Sequence, residues 1–137
     1  MPVSGYSGTE TILIVEDDEA LCKLMNDYLS RFGYVTFFAR NASEALRIFA
    51  QHHKQISLLL TDIVMPGGMS GVELAGLLLR EKPELGVIYC SGYSEVFKAK
   101  DLLLEEGANF LAKPFAMPRL TEIVRHQLNL RLQEALR

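Results

Sequence analysis

Thr11-Ile12-Leu13-Ile14-Val15-Glu16-Asp17-Asp18-Glu19 opens the patterned part of the chain, and its reading decides the fold. A run of β-branched and aliphatic residues without polar alternation describes a strand buried on both faces, as in a parallel sheet. The change to consecutive acidic residues ends that strand in negative charge. The same grammar repeats downstream. Leu21, Leu24, Met25, Tyr28, Leu29 and Phe32 recur at helical spacing, with Gly33 as C-cap. Residues 34–39 read as a second strand. Ser43 caps a helix to about residue 53, with Glu44 in its first turn and Ala45, Leu46, Ile48 and Phe49 on its apolar face.

A third strand, 56–61, runs into Asp62 and is broken by Met65-Pro66-Gly67-Gly68. The next helix starts near Val72, buries Leu74, Leu77, Leu78 and Leu79, and stops at Lys82-Pro83. Residues 86–90 form the fourth strand, ended by Ser91-Gly92, and 95–106 a weaker helix closed by Gly107. The fifth strand, 108–112, meets Lys113-Pro114. A last helix over 118–136 turns Leu120, Ile123, Val124 and Leu128 inward. Strands alternating with helices over short connections are repeated βαβ units. The expected fold class is therefore α/β, a doubly wound, flavodoxin-like five-stranded parallel sheet of order 2-1-3-4-5 with helices on both faces. In such sheets ligands bind at the carboxyl ends of the strands, near the switch in winding direction.

The 137 residues, 49% hydrophobic and 23% charged, suit one domain over 11–137 behind a flexible, Gly- and Ser-rich tail over 1–10. Lys plus Arg number 14 against 17 Asp plus Glu, a net charge of −3 without an extended block of like charge, so no nucleic acid or membrane partner is expected. No apolar run approaches the roughly 18 residues of a membrane span, and the first residues lack a signal peptide's basic and apolar regions. The expected location is cytoplasmic. Cys22 and Cys90, without a CxxC or a His at ligand spacing, read as reduced, buried thiols.

Strand ends deliver Glu16 and Asp17, Asp62, Ser91 and Lys113 to one edge of the sheet. Unit charges 4 Å apart repel by about 4 kcal/mol at an effective dielectric near 20, so clustered carboxylates there need a cation. All-oxygen ligands are hard, favouring magnesium, manganese or calcium over zinc. Such a site leaves coordination positions for a phosphoryl oxygen, and phosphoryl transfer is the chemistry inferred. Asp62 is the candidate nucleophile, forming an acyl phosphate. Glu16 and Asp17 hold the metal, Lys113 pairs with one phosphoryl oxygen, and Ser91 donates to another.

Val15-Glu16-Asp17-Asp18, Leu60-Thr61-Asp62-Ile63-Val64-Met65-Pro66, Cys90-Ser91-Gly92 and Ala112-Lys113-Pro114-Phe115 together resemble the motifs of receiver domains of two-component response regulators. These are the acidic pair, the phosphoacceptor segment, the hydroxyl position and the Lys-Pro motif, in order, over roughly residues 11–132. The resemblance implies that Asp62 accepts a phosphoryl group from a sensor histidine kinase or histidine phosphotransfer protein. It further implies magnesium, or manganese, on Glu16, Asp17, Asp62 and the Val64 backbone carbonyl. Phe110 matches the family's aromatic switch position, expected to turn inward when Ser91 moves toward the phosphoryl group. That would alter the face of the fourth predicted helix, fifth strand and fifth helix, where a homodimer contact is also expected.

Two departures stand out. The loop from Met65 to Gly71 is one residue longer than the common pattern, and Ser91-Gly92-Tyr93-Ser94 replaces the commoner Thr-Ala. Both look like receivers of hybrid sensor kinases. Val64 and Tyr93, neither carboxylate nor amide, suggest slow self-hydrolysis. Too few residues follow Leu128 for a helix-turn-helix domain, so output is expected through a downstream protein or domain.

Blander roles compete at each position. Asp62 before a Pro-Gly loop suits a turn, and Asp18 or Glu19 a helix N-terminus. Phe110 suits a core, Met65 and Met69 loop anchors, His52 and His53 a helix C-terminus, and the surplus Leu130, Leu132 and Leu136 a contact surface. Three other functions compete as well. A haloacid dehalogenase-type phosphatase wants a second Asp where Val64 stands. A flavin-binding domain wants a phosphate loop where Glu16 to Glu19 would repel phosphate. A docking domain that signals without phosphorylation would not need the acidic site.

Overall fold

The computed structural model describes residues 4–92 and 103–135. Strands β1 (Thr11–Val15), β2 (Val35–Ala39), β3 (Ile56–Asp62), β4 (Gly86–Ser91) and β5 (Phe110–Ala112) form one sheet in the order β2-β1-β3-β4-β5. All four pairings are parallel. The order is the expected one. Helices α1 (Glu19–Arg31), α2 (Ala42–His52), α3 (Gly71–Glu81) and α4 (Met117–Ala135) cover it; α4 is the fifth helix of the sequence reading.

Side chains of a strand point alternately to its two faces, so an unbroken apolar run fills two cores at once. In β1, Leu13 and Val15 join Phe49, Leu59, Leu74 and Leu78 in one cluster. Ile12 and Ile14 join Met25, Leu29, Leu60, Leu120, Ile123, Val124 and Leu128 in the other. All five β1 residues are buried. Cys22 and Cys90 are free and buried, as expected.

Helix faces differ in detail from the periodic reading. The inward residues of α1 are Cys22, Met25 and Leu29, which leaves Leu24 at 56% exposure. On α3, Leu74, Ala75 and Leu78 face the core and Leu77 is exposed. The cap of α2 is Asn41 rather than Ser43: its side chain accepts from Glu44 N at 2.9 Å, while Glu44 Oε1 accepts from Arg40 N at 2.8 Å. Ser70 caps α3 through a reciprocal box with Glu73, each side chain bonding the other's backbone N–H at 3.1 Å.

The helix expected over 95–106 falls mostly outside the described residues. Its last part, 103–106, is not helical. There Asn109 competes with helical bonding, since its Oδ1 accepts from Glu105 N at 2.7 Å and its Nδ2 donates to Leu103 O at 2.9 Å. Strand β5 accordingly begins at Phe110 instead of 108.

Residues 6–10, the later part of the expected tail, are gripped by several groups. Gly8 N donates to Phe32 O at 3.0 Å and Tyr34 Oη to Tyr6 O at 2.9 Å. Arg125 of α4 holds Glu10 Oε2 at 2.7 Å and donates to Ser7 O at 3.2 Å. Gly33 makes this approach feasible: its φ of +98° is a glycine conformation, and it lets the turn after α1 receive residue 8.

Candidate functional site

Register assembles the carboxyl edge of the sheet. Val15 pairs with Thr61, so Glu16 emerges beside Asp62. Asp62 pairs with Cys90 and Ser91 with Ala112, so Ser91 and Lys113 come next along the same edge. The ladder continues past the strands through Glu16 N to Ala39 O at 3.0 Å and Lys113 N to Ser91 O at 2.9 Å. These backbone bonds fix the roots of the side chains that meet there.

Lys113 Nζ donates to Glu16 Oε1 at 2.8 Å and lies 2.6 Å from Asp62 Oδ1. The second contact is an ion pair outside hydrogen-bond angles, so Asp62 Oδ1 is a buried oxygen that accepts no hydrogen bond. The other Glu16 oxygen, Oε2, accepts from Asp18 N at 3.0 Å. Asp18 itself caps α1, accepting from Leu21 N at 3.1 Å, which is the helix-end role weighed for it above. Glu16 and Asp62 are buried and Asp17 is exposed, yet one carboxylate oxygen from each lies within 4.8 Å of the others. Asp62, Asp17 and Lys113 line an open cleft with Val64, Met65 and Pro66.

Burial first, and the neighbouring Glu16 carboxylate second, push Asp62 up to about 8 against the pull of Lys113. Burial works against the Lys113 ammonium, but its contacts with Asp62 and Glu16 outweigh that and hold it above the usual lysine range. One ammonium thus serves two buried carboxylates. Counting Asp17, the three carboxylates when ionised set three negative charges against one positive, an excess of two that a divalent cation matches. The hard oxygen donors and the orphaned Asp62 Oδ1 fit such an ion.

The remaining expected site residues are placed unequally. Ser91 is buried at the end of β4, and Val64 lines the cleft at 37% exposure. Phe110 belongs to the core cluster of Tyr89 and Leu85 at 4% exposure. It is already inward, so a turn from an exposed position has no starting point in this structure. Tyr93 and Ser94 lie outside the described residues. Sequence reasoning missed Thr61, whose Oγ1 donates to Asp62 O at 3.0 Å and contacts Met65 Sδ at 3.8 Å, and Gly71, whose N–H donates to Ile63 O at 2.8 Å.

The family model of the response regulator receiver domain matches residues 12–125, the span that carries this sheet and cleft. The chain belongs to that family. This receiver domain is similar to the response regulator receiver protein CpdR of Brucella abortus, 35% identical over 118 residues, 85% of this chain and 95% of CpdR. It is also similar to the sensor kinase CckA of that organism, 33% identical over 122 residues, 89% of this chain but 13% of the kinase. The chain thus spans a small part of that relative. The crystal structure of the receiver domain from hybrid histidine kinase CckA matches with a TM-score of 0.72 and 32% identity, covering 86% of this chain and 98% of that one. Receiver domains are components of two-component signalling and generally not turnover enzymes. Among the described residues, no helix is long and apolar enough to cross a membrane.

Proposed function

We propose that this receiver domain accepts a phosphoryl group on Asp62 from a sensor histidine kinase or histidine phosphotransfer protein, in a magnesium-dependent reaction. The observation that carries this reading is the buried Asp62 carboxylate with one oxygen unbonded, flanked by Glu16, Asp17 and Lys113. Glu16, Asp17, Asp62 and the Val64 backbone carbonyl would hold the ion, with manganese an acceptable substitute. Bound there, the cation supplies the charge that favours ionised Asp62 and draws in phosphoryl oxygens.

The Asp62 carboxylate attacks phosphorus with a lone pair. The bond from phosphorus to the donor's imidazole nitrogen breaks, and its electrons leave with the imidazole. Lys113 already stands 2.6 Å from the attacking carboxylate and is placed to pair with a phosphoryl oxygen; Ser91 supplies a hydroxyl from the neighbouring strand end. A groove beside Lys113, lined by Leu21, Leu24, Pro114 and Phe115, gives the donor an apolar margin next to the site. The domain is then a switch whose output passes to a downstream protein or domain. A reordering around Ser91 and the β5–α4 face transmits it, with a homodimer on that face as one output. Two free, buried thiols support action in the reducing cytoplasm. The likeness to CckA supports a second setting, the receiver part of a hybrid histidine kinase.

Intact mass after incubation with magnesium and a small acyl phosphate tests the chemistry. One phosphoryl group should be gained by the wild type and none by Asp62→Asn or without magnesium. A folded, magnesium-binding protein that gains nothing from acyl phosphate or from a phosphohistidine donor would leave a docking domain that signals without phosphorylation.

A further inference from the structure

The β3–α3 loop closes on itself at one residue. Gly71 N donates to Ile63 O at 2.8 Å, and the Gly71 α-carbon sits against the carbonyl of Asp62. A methyl group built there would overlap that carbonyl oxygen and come within 2.8 Å of its carbon and 3.0 Å of Thr61 Oγ1. Its backbone conformation is not the left-handed one, so space, not φ, excludes a side chain. The same Asp62 carbonyl accepts from Thr61 Oγ1 at 3.0 Å. The Ile63 carbonyl is therefore held by Gly71 N and the Asp62 carbonyl by Thr61 Oγ1 against the bare Gly71 α-carbon, and the next carbonyl is that of Val64.

Neither partner can easily give way. Ser70, just before Gly71, is fixed by the box with Glu73, and Asp62 is the last residue of a buried strand. We infer that Gly71 is a positioning residue for phosphoryl transfer: its bare α-carbon and the Thr61 hydroxyl clamp the Asp62 backbone and so aim the Asp62 carboxylate and the Val64 carbonyl. This rests on the phosphoacceptor reading above. The clamp also explains how a loop one residue longer than the common pattern leaves the acceptor in place: the extra length lies between clamped ends.

The test uses the full chain with Gly71→Ala, Thr61→Val and a control, Gly76→Ala, which lies in the same helix with nothing within 4 Å of its added methyl. Magnesium affinity is measured by calorimetry without any phosphodonor, and the rate of phosphoryl gain by intact mass at saturating magnesium. A displacement of the order of an ångström can cost up to about a hundredfold, so Gly71→Ala should lose about tenfold or more in both magnesium affinity and rate. Its far-ultraviolet circular dichroism should stay unchanged. Thr61→Val should lose severalfold in the same direction, and Gly76→Ala should stay within twofold of wild type. Wild-type affinity and rate in a folded Gly71→Ala overturn the inference. If Gly71→Ala does not fold, Thr61→Val decides, and wild-type values there overturn it equally. A wild type that takes no phosphoryl group refutes the functional reading instead, while the affinity series still judges the clamp.

Discussion

With its side chain 6% exposed beside Glu16, Asp62 ionises against both burial and like charge. The unfolded chain ionises this group near pH 4, whereas the folded, metal-free chain resists until about 8. Its contribution to stability is thus fully present below pH 4 and is lost as pH rises through 8. Thermal melts in a chelator should show this decline, and Asp62→Asn should flatten it. At pH 7 the same variant should melt higher than wild type in chelator, by about 1–3 kcal/mol of stability, because the folded wild type must keep protonated a carboxyl that the unfolded chain ionises freely. A lower melting temperature would show that Lys113 holds Asp62 ionised in the folded chain at this pH. Glu16, Asp17, Asp62 and Lys113 were legible in the sequence because a carboxylate or ammonium directly after an apolar strand announces itself. Thr61 and Gly71 were not. They act through a backbone carbonyl, and neither charge nor periodicity marks a residue whose role is to be small or to bond a main chain.

Elements were legible where burial is two-sided or strictly periodic and less so at their ends. Every described strand was anticipated, because β1, β3 and β4 read as mostly apolar runs without alternation. Helix starts were missed by one or two residues where two polar candidates competed. Asn41 rather than Ser43 caps α2, although Asn41 with Glu44 has the spacing of a capping box, as does Ser70 with Glu73. Ser70→Ala should therefore destabilise the fold by about 1 kcal/mol in denaturant unfolding, and Ser43→Ala by no more than a few tenths. Equal losses from the two would return the cap to Ser43. The segment 103–106 escaped the reading because one side chain, Asn109, claims backbone groups that a helix would use. Such local competition leaves no periodic trace.

Among the described residues, the sheet separates two apolar layers, one covered by α1 and α4 and the other by α2 and α3. Leu128 of α4 is fully buried in one of them, and Leu128→Ala should cost about 2–5 kcal/mol. Polar contacts add an anchor at the amino edge of the sheet, where Arg125 ties Glu10, Ser7 and Tyr34 to the last helix. The bond to Arg125 is the main reason Glu10 is held below the ordinary carboxylate range. Arg125→Ala should cost about 1–3 kcal/mol. It should also speed proteolytic cleavage before residue 10 while leaving magnesium affinity unchanged. The Gly- and Ser-rich composition that suggested a free tail hid this anchor, since its partners stand far along the chain.

That anchor also settles where a reporter can be attached. Strands of this length rise about 16 Å from one edge of the sheet to the other, and residues 6–10 are held at the amino edge while Asp62 opens at the carboxyl edge. A fluorophore or affinity handle joined ahead of this segment therefore starts from the edge of the sheet away from the cleft, on the side opposite the one a donor protein must approach.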